Sequence, residues 1–291
     1  MTATNYGLVV LSAVLLAATN FLVKRSQGSQ AFVGLGKVAE GVLLAPLLLA
    51  GLGVESGNLQ SVWPLPVVGA ALLLMSNVLL AAATRHPDLS LVLPASRGAM
   101  LAAVPLVAFL AIGETTDAVG GAGIAVVIMG LMNLPLRGFG TDAVRAYGRA
   151  TGAPATRHAL LAGLVAAGST VWDKRSVQVL SPVAYLAAYS GIVGLVHALV
   201  LQQSERGAVI VEWRKSWRMI LLVAALGAGS SFLLLVALQT ENAGYVVALR
   251  QISVALGAAL GARWLGEALA PPAITGIGLV LGGCVLLALA G

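Results

Sequence analysis

The chain has 291 residues, of which 59% are hydrophobic and only 10% charged, and its mean hydropathy is +0.95. A water-soluble domain carries roughly 25% charged residues, so this composition excludes a soluble protein and makes lipid the solvent. The net charge of +6 does not point to nucleic acid, because the basic residues sit between apolar runs and not along one soluble face.

A spanning helix needs about 20 apolar residues, and ten such segments are predicted. The first runs 5–23 and ends at Lys24-Arg25. It lacks a preceding basic residue and a small-residue cleavage site, so it reads as a retained helix and not as a removed signal peptide. The second, 31–52, carries Lys37, Glu40 and Pro46, and a polar link with Glu55, Ser56, Gly57 and Asn58 follows. The third, 64–84, ends at Thr84-Arg85-His86-Pro87-Asp88. The fourth, 89–112, contains Pro94, Arg97 and Pro105 and stops at Gly113-Glu114; the fifth is 117–135. The longest polar stretch comes next, with Arg137, Asp142, Arg145, Arg149 and Arg157. Spans at 158–179 and 182–202 precede a charged loop holding Glu205, Arg206, Glu212, Arg214, Lys215 and Arg218. The last three spans are 219–239, 243–264 and 271–290.

The chain repeats itself. Leu-Ala-Ile-Gly-Glu at 110–114 aligns with Arg-Trp-Leu-Gly-Glu at 263–267, an offset of 153 that also places Arg97 on Arg250, Gly123 on Gly276 and Gly130 on Gly283. Lys24-Arg25-Ser26 matches Lys174-Arg175-Ser176 at offset 150. The organisation expected is a five-helix unit over 1–136, a linker at 137–157 and a second unit over 158–291. Five is odd, so the second unit enters the membrane from the opposite side. The fold class is therefore an all-α membrane protein of ten helices in two inverted five-helix repeats. Twelve loop Lys and Arg residues fall on one side of this arrangement against two, Lys174 and Arg175, on the other. The positive-inside rule places the first set in the cytoplasm and both termini on the far side.

Within the spans, Arg97 and Arg250 stand out. A guanidinium in oil costs at least a few kcal/mol, so each must face a cavity or a partner. Two readings stand: a symmetric pair gripping a carboxylate or phosphate through the planar fork of donors, or arginines that tie helices together. Lys37 and Glu40, three apart, share a helix face; they form a local ion pair, or Glu40 exchanges protons while Lys37 lines a cavity. Asp173 with Lys174 and Arg175 is a self-compensating cluster, or Lys174 and Lys24 mark symmetric cavity mouths. Glu114 and Glu267 are read as favourable charges at the N-terminus of the helix that follows each. His197, in the seventh span, is hydrogen-bonded packing or a proton relay. Trp172, Tyr185, Tyr189, Tyr245 and Trp264 are cavity walls or interfacial anchors, with Tyr189 and Tyr245 the deeper candidates.

Cys284, the single cysteine, excludes an intrachain disulfide and any multi-cysteine metal site. Gly257 and Gly261, and Gly278 and Gly282, have the four-residue spacing of tightly packed membrane helices, which leaves a homodimer open. Pro94 and Pro105 would bend or break the fourth helix near Arg97. The chain has no His-Glu-x-x-His, no Gly-x-x-x-x-Gly-Lys-Ser/Thr and no Gly-x-Ser-x-Gly. No enzyme activity, cofactor or metal is expected, and any transport would run on gradients.

The stretches LVLPASRGAMLAAVPLVAFLAIGE (91–114) and VVALRQISVALGAALGARWLGE (246–267) resemble the EamA-like family of the drug/metabolite transporter superfamily. The resemblance covers nearly the whole chain. It implies alternating access around a central cavity in a bacterial inner membrane, with small metabolites such as amino acids, or drugs, as substrates and export as a common direction. Relatives that move phosphorylated sugars use basic residues on the fourth and ninth helices, which favours an anionic or zwitterionic solute here. Small multidrug relatives carry a Glu in the first helix, where this chain has no carboxylate and offers neutral polar residues such as Thr19 and Asn20. The expected site is Arg97, Arg250, Lys37, Tyr189 and Tyr245 for substrate, with Glu40 for proton coupling. The alternative is a scaffold that binds partner membrane proteins without transport.

Overall fold

A computed structural model describes residues 1–26, 29–54, 62–84, 89–136, 138, 154–203, 206–266 and 268–290. Every regular element among them is a helix: α1 (Ala3–Arg25), α2 (Gln30–Val54), α3 (Pro64–Ala83), α4 (Leu89–Ile112), α5 (Ala118–Asn133), α6 (Pro154–Val177), α7 (Pro182–Gln202), α8 (Arg206–Thr240), α9 (Ala243–Leu249), α10 (Ile252–Leu265) and α11 (Pro271–Leu289). The polar link at 55–58, residues 85–88, the linker charges Arg137, Asp142, Arg145 and Arg149, and Glu205 and Glu267 lie outside the described residues. Eight helical stretches are long and apolar enough to cross a bilayer, with α9 and α10 counted as one; α5 is a shorter apolar helix. Val42, Val78, Leu106 and Leu110 point outward, as side chains do when lipid is the solvent.

Two elements depart from the sequence reading. The charged stretch before 219 is not a loop but the first third of α8. Arg, Lys, Glu and Trp are competent helix formers, and apolarity reports only the part of a helix that lies in oil. The ninth span is not one helix: α9 stops at Leu249, and Arg250 and Gln251 form a turn before α10. The N–H groups of Gln251, Ser253 and Val254 donate to the carbonyls three residues back, at 3.1, 3.0 and 2.9 Å, the tight 3₁₀ pattern that marks hinges. By contrast α4 runs unbroken through Pro94, Arg97 and Pro105.

The packing displays the inverted repeat directly. α5 lies against α11, and α2 against α7, each pair relating the same helix of the two halves. A Cβ on Gly123 would sit 3.1 Å from the Gly283 carbonyl, and one on Gly276 would sit 2.6 Å from the Gly130 carbonyl. Under the 153-residue offset, Gly123 becomes Gly276 and Gly283 becomes Gly130, so each contact maps onto the other and the helices run antiparallel. α2 and α7 repeat the relation: Gly41 abuts the Ser190 carbonyl and Gly194 the Lys37 carbonyl. Around these spines α1 packs on α8 and α10, and α6 packs correspondingly on α3 and α4. In the first crossing the Ser12 and Ser230 hydroxyls reach each other's carbonyls at 2.7 and 2.9 Å; in the second Ser76 donates to the Ala162 carbonyl at 2.9 Å. Gly257, Gly278 and Gly282, expected to pack tightly, face open space.

Both Gly-Glu motifs are explained by one backbone requirement. Gly113 and Gly266 have φ of +69° and +68°, the left-handed conformation that ends a helix and that side chains with a Cβ disfavour. After Gly113, the Asp117 carboxylate caps α5 by accepting from the Gly120 N–H at 2.6 Å. That bond, against a small opposing effect of burial, holds the Asp117 carboxyl below its ordinary pKa.

The glycine spine yields a test. Gly130→Val forces a side chain into the Gly276 carbonyl and should cost about 1–3 kcal/mol or prevent insertion. Gly282→Ala, in open space, should shift thermal unfolding in detergent by less than about 0.5 kcal/mol. Equal effects would mean that α5 and α11 do not pack through the glycines.

Candidate functional site

A cavity of about 280 Å³ lies between the halves, lined by residues of both. Its four charged groups come from three places in the chain. α2 supplies Lys37 and Glu40, α6 supplies Asp173, and Arg250 enters from the break between α9 and α10. α7 contributes Tyr185, Tyr189 and Ser190, and α6 adds Ser169 and Thr170.

Helical spacing explains the grouping. Lys37 and Glu40 share the face of α2 that packs on α7. The Lys37 ammonium donates to Glu40 Oε2 at 2.7 Å, and the Ser190 hydroxyl donates to Oε1 at 3.0 Å. Both line the cavity, but Glu40 is buried while Lys37 is 39% exposed, so the lysine is the more open of the two. Across the cavity the Tyr185 hydroxyl donates to Asp173 Oδ1 at 2.6 Å, and the Tyr189 ring stacks on Tyr185 with centroids 5.8 Å apart. A Cβ at Gly69 would collide with the Tyr185 hydroxyl, so the glycine makes room for it. Arg250 is tied at one point: Nη2 donates to the Ser230 hydroxyl at 3.1 Å. Its buried Nε has no hydrogen-bond partner among the described residues.

Arg97 does not share this chamber. It lines a separate vestibule of about 800 Å³ with Asn20, Lys24, Pro94 and Ser253. Its Nη1 donates to Gln251 Oε1 at 3.1 Å, which ties it to the helix break through the chain neighbour of Arg250. Tyr245 is also elsewhere. Its hydroxyl accepts from the Asp117 N–H at 3.1 Å, where α9 meets the start of α5. Of the expected site residues, Lys37, Glu40, Tyr189 and Arg250 are therefore brought together, and Arg97 and Tyr245 lie apart.

Asp173 and Tyr185 are the cavity residues the sequence undervalued. Asp173 carried a signal, being the one carboxylate besides Glu40 well inside a span. It was grouped instead with Lys174 and Arg175, its chain neighbours, but helix rotation turns them apart. Lys174 is buried against other partners: its ammonium pairs with Glu114 Oε2 at 2.7 Å and donates to the Glu241 carbonyl at 2.5 Å. Glu114 does not serve the helix that follows it; its Oε1 accepts from the Ala243 N–H at 2.6 Å, at the N-terminus of α9. His197 bonds the carbonyl one turn back, at 2.8 Å, and Trp172 donates to the Leu65 carbonyl at 2.8 Å. Cys284 is buried packing.

Residues 158–289 match the model described as the EamA-like transporter family. The second half of this chain belongs to the EamA-like family. That family lies within the drug/metabolite transporter superfamily, so the match supports a multi-pass membrane transporter of that type and implies no catalysis. The EamA-like half and its inverted partner together have a fold already solved. A crystal structure whose description names no activity superposes with a TM-score of 0.74 over 99% of this chain and 98% of that one, at 16% identity. In all, 27 solved chains match significantly. No curated protein matches at a significant level.

The Lys174–Glu114 pair can be separated from the cavity by experiment. Lys174→Met leaves a carboxylate buried without its counter-ion and should cost about 3–5 kcal/mol in thermal unfolding. Adding Glu114→Gln should recover a large share of that loss; purely additive losses would show that the two are not coupled.

Proposed function

We propose that the protein is a secondary transporter that binds a small zwitterionic metabolite, such as an amino acid, in the cavity between its halves and releases it by alternating access, in the export direction. The carrying observation is the set of buried charges around that space. Arg250 supplies a cation with a free Nε donor, and Asp173 supplies an anion held by a single neutral hydroxyl. A substrate carboxylate takes the arginine's planar fork, and a substrate ammonium takes Asp173. Ligand sites for drug-sized molecules occupy about 300–1,000 Å³, so 280 Å³ suits a small solute better than a bulky drug.

Glu40 is the proposed coupling carboxylate. Its ionised form satisfies Lys37 and Ser190 together; protonation releases Lys37 toward the cavity. The two arginines occupy equivalent places in inverted copies, yet one faces the cavity and the other the vestibule. In the proposed cycle the halves exchange conformations: α4 yields near Pro94, the α9–α10 break closes, and Arg97 takes over the role of Arg250. The termini and the far loops then face the periplasm of a bacterial inner membrane, as the basic-residue bias suggests.

Liposome counterflow tests this. Wild-type protein should exchange one class of amino acid or related zwitterion. Arg250→Lys keeps the charge but loses the fork, and transport should fall by ~10- to 100-fold, the worth of a charge-assisted hydrogen bond, with folding intact. Asp173→Asn should abolish exchange, whereas Glu40→Gln should abolish uptake driven by a pH gradient while sparing exchange. Silence of the wild type across a wide solute panel would favour the scaffold reading.

A further inference from the structure

α8 is longer than a bilayer crossing requires. Its 35 residues extend about 52 Å, against a hydrocarbon core of about 30 Å. The apolar stretch from 219 to 240 fills that core, so 206–218 lies in the headgroup layer or beyond it. Two exposed stripes run along this segment. One carries Ile210, Trp213 and Trp217, each more than 40% exposed. The other carries Arg214, Lys215 and Arg218. Trp concentrates at headgroup depth because its ring is amphipathic.

Beside this segment lies a groove of about 810 Å³, lined by Arg25 and Ser26 at the end of α1 and by Lys215, Ser216, Trp217 and Arg218 of α8. The Arg218 guanidinium stacks 5.2 Å from the centre of the Trp217 ring, which holds it in place. Glu212, the one described carboxylate on this segment, does not line the groove and accepts from the Ser29 hydroxyl at 3.1 Å. Among the described residues, Arg25, Lys215 and Arg218 form no ion pair. Three cations thus line one groove at headgroup depth, with indole rings on the lipid side.

We propose that this groove is a binding site for the phosphate of an anionic phospholipid headgroup, whose acyl chains lie along α1 and the apolar part of α8. The commitment to lipid over a free anion rests on depth and on Trp213 and Trp217, which a soluble phosphate would not use. The site is independent of the transport reading: it lies outside the central cavity and shares no residue with it.

The test uses full-length protein in nanodiscs of phosphatidylcholine containing a minor fraction of phosphatidylglycerol, with retained lipids counted by native mass spectrometry. The wild type should retain phosphatidylglycerol in preference. The triple change Arg25→Gln, Lys215→Gln, Arg218→Gln should weaken that preference by roughly fivefold per charge removed. Arg157→Gln with Arg263→Gln removes two exposed charges from the same side without touching the groove and should change it by less than about twofold. An equal effect of the two sets would reduce the attraction to diffuse surface potential and overturn the site. Displacement of the lipid by inorganic phosphate at equal concentration would assign the groove to a free anion instead. If the triple variant does not fold, the wild type still decides: preference for phosphatidylglycerol must be present at low salt and decline as salt rises, and its absence at low salt overturns the proposal.

Discussion

Backbone touches backbone where α5 crosses α11 and where α2 crosses α7, and the architecture follows from that closeness. In lipid no hydrophobic force drives helices together, so association depends on van der Waals contact and interhelical hydrogen bonds. Gly123, Gly130, Gly276 and Gly283 supply the first, and the serines of α1, α3 and α8 the second. The crossings are antiparallel and exchange under the repeat, so the two halves are clamped at their two-fold axis. The space left between the clamped spines is the cavity.

Charge is then distributed by what oil permits. Every charged group brought deep into the helices has a partner suited to its depth. Lys174 and Glu114 pair near the end of α6, where Glu114 also accepts from the first N–H of α9. Glu40 is bound on both oxygens. Arg97 is met by a neutral amide, and Asp173 by a neutral hydroxyl. Arg250 is the least satisfied, with one hydroxyl and a bare Nε. That incompletely matched cation facing the cavity is the observation on which the proposed binding role of Arg250 rests.

The two copies are alike in sequence and unlike in conformation. α4 passes its arginine as an unbroken helix despite two prolines, while the corresponding span, with no proline, breaks at its arginine into α9 and α10. Local sequence alone would have put the break in the other half. The hinge-like turn carries Arg250 and Gln251, and Gln251 in turn accepts from Arg97 of the other half.

Taken by itself, the amino-acid order determined the solvent, the number of crossings and the duplication, because spans of about 20 apolar residues and recurring Gly-Glu pairs are local features. It also marked Arg250, Lys37 and Glu40, since a charge inside an apolar run is conspicuous wherever it lies. It could not say that Asp173 faces the cavity while Lys174 turns away, because neighbouring helical residues differ by about 100° in direction and only packing fixes the rotation. The glycine pairs that matter, the partner of Glu114 and the compartment of Arg97 are likewise relations between segments more than 100 residues apart. The tertiary structure decided those, because which faces meet depends on how all ten crossings fit at once.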